Sequence, residues 1–126
     1  MTGLRCVMSG RRVERNEADG SRRVHGHTYT ACVTLRGEVD PATGMVVDLA
    51  VLRAAIARVR DRLDHHFLDE VSGLGVPTLE NLCLFIHRQL RAEVPGIDSV
   101  SVERKSSGDR CVYRGGDAAA APVEAA

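Results

Sequence analysis

The chain has no tryptophan, and aromatic residues make up only 3% of it. Its core must therefore be aliphatic, and a 126-residue domain with so little aromatic area gains by burying surface against further copies of itself. It also lacks a charge excess: 17 basic residues balance 17 acidic ones, which argues against the basic field of a nucleic-acid or membrane-surface binder. None of its four cysteines, Cys6, Cys32, Cys83 and Cys111, falls in a CxxC spacing. Reduced, partly buried thiols are expected rather than disulfides or a cysteine metal site. No apolar run approaches the roughly 20 residues that cross a bilayer, and the N-terminus carries no apolar signal core. A single cytoplasmic domain is the expectation.

What is present is concentrated first at His25-Gly26-His27, followed by Tyr29. Alternate residues of an extended segment point to one face, so two imidazoles one residue apart project side by side, with little bulk between them. Neutral imidazole is a common zinc ligand, and two convergent ones supply half of a tetrahedral shell. The same spacing on a solvated strand face would bind nothing, so the motif needs support from the rest of the chain.

Leu4 to Ser9 can open as a strand, and the polar stretch from Gly10 to Arg23 reads as a hairpin or loop. From Tyr29 to Leu35 apolar and polar residues alternate, the period of a half-buried strand. Asp40-Pro41-Ala42-Thr43-Gly44 is a turn, opened by Asp and Pro and closed by a glycine that accepts positive φ. Met45-Val46-Val47 reads as a short strand or extended entry. Asp48 caps a helix whose stripe is Leu49, Leu52, Ile56, Val59 and Leu63. Thr78 caps a second, with Leu79, Leu82, Ile86 and Leu90 inward and Pro95-Gly96 beyond its end. Val100 and Val102 mark a late strand and Cys111-Val112-Tyr113 another, while residues 116–126 have no apolar periodicity and read as a disordered tail. Strands, two helices, then strands give an α+β domain over residues 1–115, an antiparallel sheet covered by helices on one face.

Five segments in order, His25-Gly26-His27-Thr28-Tyr29, Gly37 to Pro41 with Gly44 to Leu49, Leu63-Asp64-His65-His66-Phe67-Leu68, Pro77-Thr78-Leu79-Glu80-Asn81 and Val102-Glu103, resemble the 6-pyruvoyltetrahydropterin synthase / 6-carboxytetrahydropterin synthase family. The turn after Glu38 and the Leu-Asp-His-His-x-Leu segment most resemble the 6-carboxytetrahydropterin branch of deazapurine (queuosine-type) biosynthesis. The resemblance spans about residues 4 to 115. It implies a tunnelling fold, in which ββααββ subunits form an oligomeric barrel, two trimeric rings making a homo-hexamer. It further implies a lyase/cyclase acting on the side chain of dihydroneopterin triphosphate, a small pterin substrate, with zinc as Lewis acid. Carried over by position, His25 and His27 are metal ligands, Asp64 and His65 an Asp-His proton relay, and Glu103 the carboxylate that grips the pterin's amidine-like edge. Thr78 and Glu80 fall beside the same pocket. Each has a plainer reading: Asp64 as a helix-end residue, His66 as surface or packing, Thr78 as a cap only and Glu103 as an exposed strand residue.

The chain departs from the family pattern at two positions. Gly10 stands where the third zinc histidine belongs, and no histidine precedes His25. Ser21 stands where the catalytic cysteine belongs, and a hydroxyl cannot match a thiolate as a base or nucleophile near neutral pH. Glu14, Glu17, Asp19 or Cys6 are candidates to complete the metal shell. Three readings follow: a 6-carboxytetrahydropterin synthase-like lyase, an enzyme repurposed to another substrate without obligatory zinc, or a catalytically silent binding or assembly subunit.

Overall fold

A computed structural model gives the backbone of residues 2–16, 21–115 and 123–125, and side chains from residue 27 to 115. Two 15-residue strands, β1 (Thr2–Asn16) and β2 (Ser21–Leu35), form one antiparallel hairpin. Among the described residues the pairing extends as far as Asn16 and Ser21, into the stretch that the sequence leaves open as hairpin or loop. β2 then pairs with β4 (Ile97–Arg104), and β4 with β5 (Asp109–Arg114).

The period of two in β2 sorts its residues by face. Tyr29, Ala31, Val33 and Leu35 are buried; on the other face Cys32 and Thr34 are half covered, although Thr30 is buried as well. Helix α1 (Leu49–Leu63) is capped by Asp48, whose carboxylate accepts from the Ala50 N–H at 2.8 Å. It buries Leu52, Ala55, Val59 and Leu63. Helix α2 (Leu79–Arg91) starts at Thr78, whose hydroxyl accepts from the Asn81 N–H at 3.1 Å. It buries Leu82, Cys83, Phe85, Ile86, His87 and Leu90. Arg62 ties the helices together: its guanidinium bonds Gln89 at 2.8 Å and lies 4.9 Å from the Phe85 ring centroid. The result is a two-layer α+β domain. No helix among the described residues is long and apolar enough to cross a membrane.

Of the two readings of Met45 to Val47, the strand is absent: Met45 forms only an isolated bridge to Asp40 across the turn, with Gly44 at φ 71° as the turn requires. Two features differ from the expected order. Between the helices, His66–Phe67 forms a two-residue strand, β3, followed by a single 3-10 turn (Leu68–Glu70). β3 runs parallel to β1, so the sheet is mixed, in the order β3-β1-β2-β4-β5-β6. The sixth strand, β6 (Val123–Ala125), pairs with β5 inside the segment expected to be an unstructured tail. Residues 116–122 lie outside the described residues.

Candidate functional site

The register of the sheet sets most of the candidate positions at one end of the molecule. His27 on β2 is paired with Gly10 on β1, and Gly10 is paired on its other side with His66 on β3. Gly10 thus sits across from His27, where a third ligand on the first strand would sit. His27 is half-buried, and its ring meets the buried Tyr29 ring edge-on at 6.0 Å. The backbone of His25 pairs with Arg12 and that of Ser21 with Asn16. The side chains of His25 and Ser21, and of Cys6 and Glu14, lie outside the described residues, as do Glu17 and Asp19 altogether. Among the described residues no three His, Cys, Asp or Glu side chains converge as a metal site.

Asp64 and His65 follow directly on α1. Asp64 is the helix C-cap, its N–H donating to the Arg60 carbonyl. His65 has φ 59°, the one non-glycine residue with positive φ among the described residues. Left-handed backbone is costly for a residue with a Cβ and recurs where function fixes a side chain. This turn projects the His65 imidazole into solvent, 83% exposed, with Nε2 3.6 Å from the Asp64 carboxylate. That is an ion-pair distance and too long for a hydrogen bond.

At the start of α2, Thr78 is half-buried and Glu80 exposed. The Glu80 carboxylate is close enough to Cys83 and Cys111 to raise both thiols further, after burial as the main cause. Cys111 is paired with Val102, the neighbour of Glu103, so α2 begins over the end of the sheet that carries Glu103. Glu103 itself is paired with Thr30 on β2 and Arg110 on β5. Directly paired residues share a face, so Glu103 lies with Thr30, opposite the face of His27 and Tyr29. One chain therefore brings Asp64 and His65 together and sets His27 near the same end, but it does not turn Glu103 and His27 toward each other.

Two contacts have no signal in the sequence, those of His66 and Arg104. His66 lies in a two-residue parallel strand, which has no period to detect. Arg104 locks the β4–β5 turn, with Nη2 at 2.8 Å from Asp109 and Nε at 3.0 Å from the Ser107 hydroxyl. The Arg104 hydrogen bond, and then that of Ser107, hold the Asp109 carboxyl below its usual range.

The 6-pyruvoyl tetrahydropterin synthase family matches residues 7–116. The chain belongs to this family. The 6-carboxy-5,6,7,8-tetrahydropterin synthase of Synechocystis is 38% identical over 87 residues, 64% of this chain and 67% of that protein. The human 6-pyruvoyl tetrahydrobiopterin synthase is 41% identical over 75 residues, 56% of this chain and 52% of that protein. The chain thus spans between half and two thirds of the length of these relatives. The Caenorhabditis elegans 6-pyruvoyl tetrahydropterin synthase structure superposes with a TM-score of 0.78 at 28% identity, covering 91% of this chain and 94% of that one. The Plasmodium vivax synthase shares the fold at a TM-score of 0.58 and 16% identity. Two further structures of that protein carry substitutions of a glutamate described as its catalytic residue. Membership accounts for the α+β tunnelling fold, and it covers both branches, pyruvoyl and carboxy.

Proposed function

We propose that this chain is a pterin lyase/cyclase of the 6-carboxytetrahydropterin synthase type, acting on a dihydroneopterin triphosphate-like substrate. The observation that carries this is the Asp64–His65 pair, an exposed imidazole held on left-handed backbone beside a carboxylate. Asp64 orients His65, and His65 moves protons to and from substrate carbon and oxygen. Glu103 grips the aminopyrimidinone edge of the pterin through paired hydrogen bonds, with Thr78 and Glu80 at the pocket wall.

Two imidazoles one residue apart on a strand are a donor set suited to zinc. His25 and His27 would hold it, and when bound it would supply Lewis-acid polarisation of the substrate's side-chain oxygens. Ser21 occupies the cysteine's position without its basicity, so base work falls on His65 or on an acid of the Glu14–Asp19 stretch. Because Glu103 and His27 lie on opposite faces of one sheet, the pocket is completed between copies. This fits a ring-shaped homo-oligomer, a hexamer of two trimers.

The test is turnover of 7,8-dihydroneopterin triphosphate by the zinc-supplemented protein, followed by triphosphate release and product mass. A 6-carboxy product is expected, formed slowly because Ser21 replaces a thiol. A 6-pyruvoyl product would move the chain to the other branch. Pterin binding without triphosphate release would favour an enzyme repurposed within the same pocket, a reading to which Gly10 and Ser21 lend weight. Neither binding nor release would leave the silent assembly subunit. Replacing Glu103 by Ala is expected to weaken pterin binding by about 2–3 kcal/mol, the worth of a charged hydrogen-bond partner, in calorimetry. Equal binding by the variant would reject Glu103 as the anchor.

A further inference from the structure

We infer that His66 supplies the imidazole that Gly10 cannot, adding to the proposed metal site a ligand across β1 from His27. The inference rests on the metal reading above and names a ligand which that reading lacks. Gly10 is the middle member of a row across three strands, His27 on β2, Gly10 on β1 and His66 on β3. Strands lie about 4.8 Å apart, so the two histidine backbones are about 10 Å from each other across a residue with no side chain. Two imidazoles, each with a metal–nitrogen bond of about 2 Å, can close that span. Directly paired residues project to one face. The contacts agree: His27 lies against Tyr29 of the helix-covered core, and His66 reaches back to the Asp61 carbonyl of α1.

The state of the His66 ring also fits. Its Nε2 lies 2.9 Å from the Asp61 carbonyl oxygen, an acceptor only, so Nε2 carries the proton and Nδ1 the lone pair. Metal-bound histidines characteristically donate their other N–H to a backbone carbonyl, which fixes the tautomer. A helix C-terminal carbonyl would attract a histidine in any case, but that accounts for one nitrogen alone. His66 also borders an open cleft of about 400 Å³, lined further by Asp61, Arg62, Phe67, Glu70, Val71 and Ser72. A histidine lost from the first strand is thereby replaced by one on the strand paired beside it.

Zinc affinity of the metal-stripped full-length protein, measured by competition with a chromophoric chelator, tests this. The wild type is expected to bind one zinc per chain. His66→Ala should bind about 100-fold more weakly or worse, whereas His65→Ala should stay within about threefold of wild type, because the effect belongs to the third ligand alone. The double variant Gly10→His with His66→Ala should regain at least tenfold, since it returns the imidazole to the first strand. Equal affinity in wild type and His66→Ala would overturn the inference and leave the metal reading standing; no zinc on the wild type would overturn both. Nitrogen NMR of the wild-type histidine rings gives an answer independent of how the variants fold. Zinc should shift the Nδ1 resonance of His66 and leave its Nε2 proton in place, and an unmoved Nδ1 would reject the assignment.

Discussion

His65 and His87 show how one residue type does opposite work in two places. His65 is exposed on left-handed backbone, where a Cβ costs about 1 kcal/mol or more. Replacing it by Gly should raise thermal stability by about 1 kcal/mol while abolishing turnover, because the strain is relieved together with the relay. Calorimetric melting and the triphosphate-release assay read the two effects separately, and a loss of stability would mean that the conformation is not strained. His87 on α2 is 5% exposed, edge-on to Tyr113 at 4.9 Å, with Gly115 packed over its ring. A Cβ at Gly115 would lie only 2.1 Å from the His87 Nε2, so the close approach requires glycine. Burial, and then the Arg91 charge, lower the His87 pKa, against a backbone hydrogen bond at Ile97. The folded protein therefore takes up this proton at lower pH than the unfolded chain, whose imidazole titrates near 6.5. Its share of stability is complete above about pH 6.5 and is lost as pH falls below that toward the folded value. Melting curves of wild type and His87→Leu should thus converge, or cross, between pH 7.5 and 5.5; a constant gap would exclude His87 as the titrating group.

At the scale of elements, the caps decide where the candidate residues stand. Asp48 and Thr78 each satisfy an orphan N–H at a helix start, and Thr78 is also proposed for the pocket wall. Thr78→Ala should cost about 1 kcal/mol in chemical denaturation through the cap alone. Thr78→Ser retains the acceptor and should cost much less. If both variants lose pterin binding equally, the methyl group is the contact that matters; if only Ala loses it, the hydroxyl is. The cysteines between α2 and β5 play no such role. The Cys83 thiol donates to the Cys111 carbonyl at 3.4 Å, and burial pushes both thiols up, so they pack rather than react.

For the whole molecule, the sheet has one face under two helices and one without helical cover among the described residues. The face without helices carries Thr30, Cys32, Thr34, Ser99, Ser101 and Glu103, of which Thr30 and Ser101 are buried; their polar character suits a barrel lumen rather than a dry core. Closing such sheets into a ring would remove exposed edges and set one copy's Glu103 beside another copy's helix-side residues. Light scattering at micromolar concentration is expected to give a multiple of three chains. A monomer there would reject both the ring and the shared pocket.

Much of this was legible in the residues themselves. The alternation from Tyr29 to Leu35, the two apolar stripes and the caps at Asp48 and Thr78 are local patterns, set by side-chain period and by unsatisfied N–H groups, and the structure places them as read. The histidine pair, Asp64-His65 and Glu103 were also visible, because spacing and order carry the family resemblance. What no local pattern could carry was pairing between distant segments. Only the tertiary structure set Gly10 between His27 and His66, since a two-residue parallel strand has no period to detect. Only the register put Glu103 and His27 on opposite faces, because a face is defined by which residue lies across the ladder. The sequence by itself thus determined the two helices and the long strands; the long-range pairing of strands decided the short ones and which groups can meet.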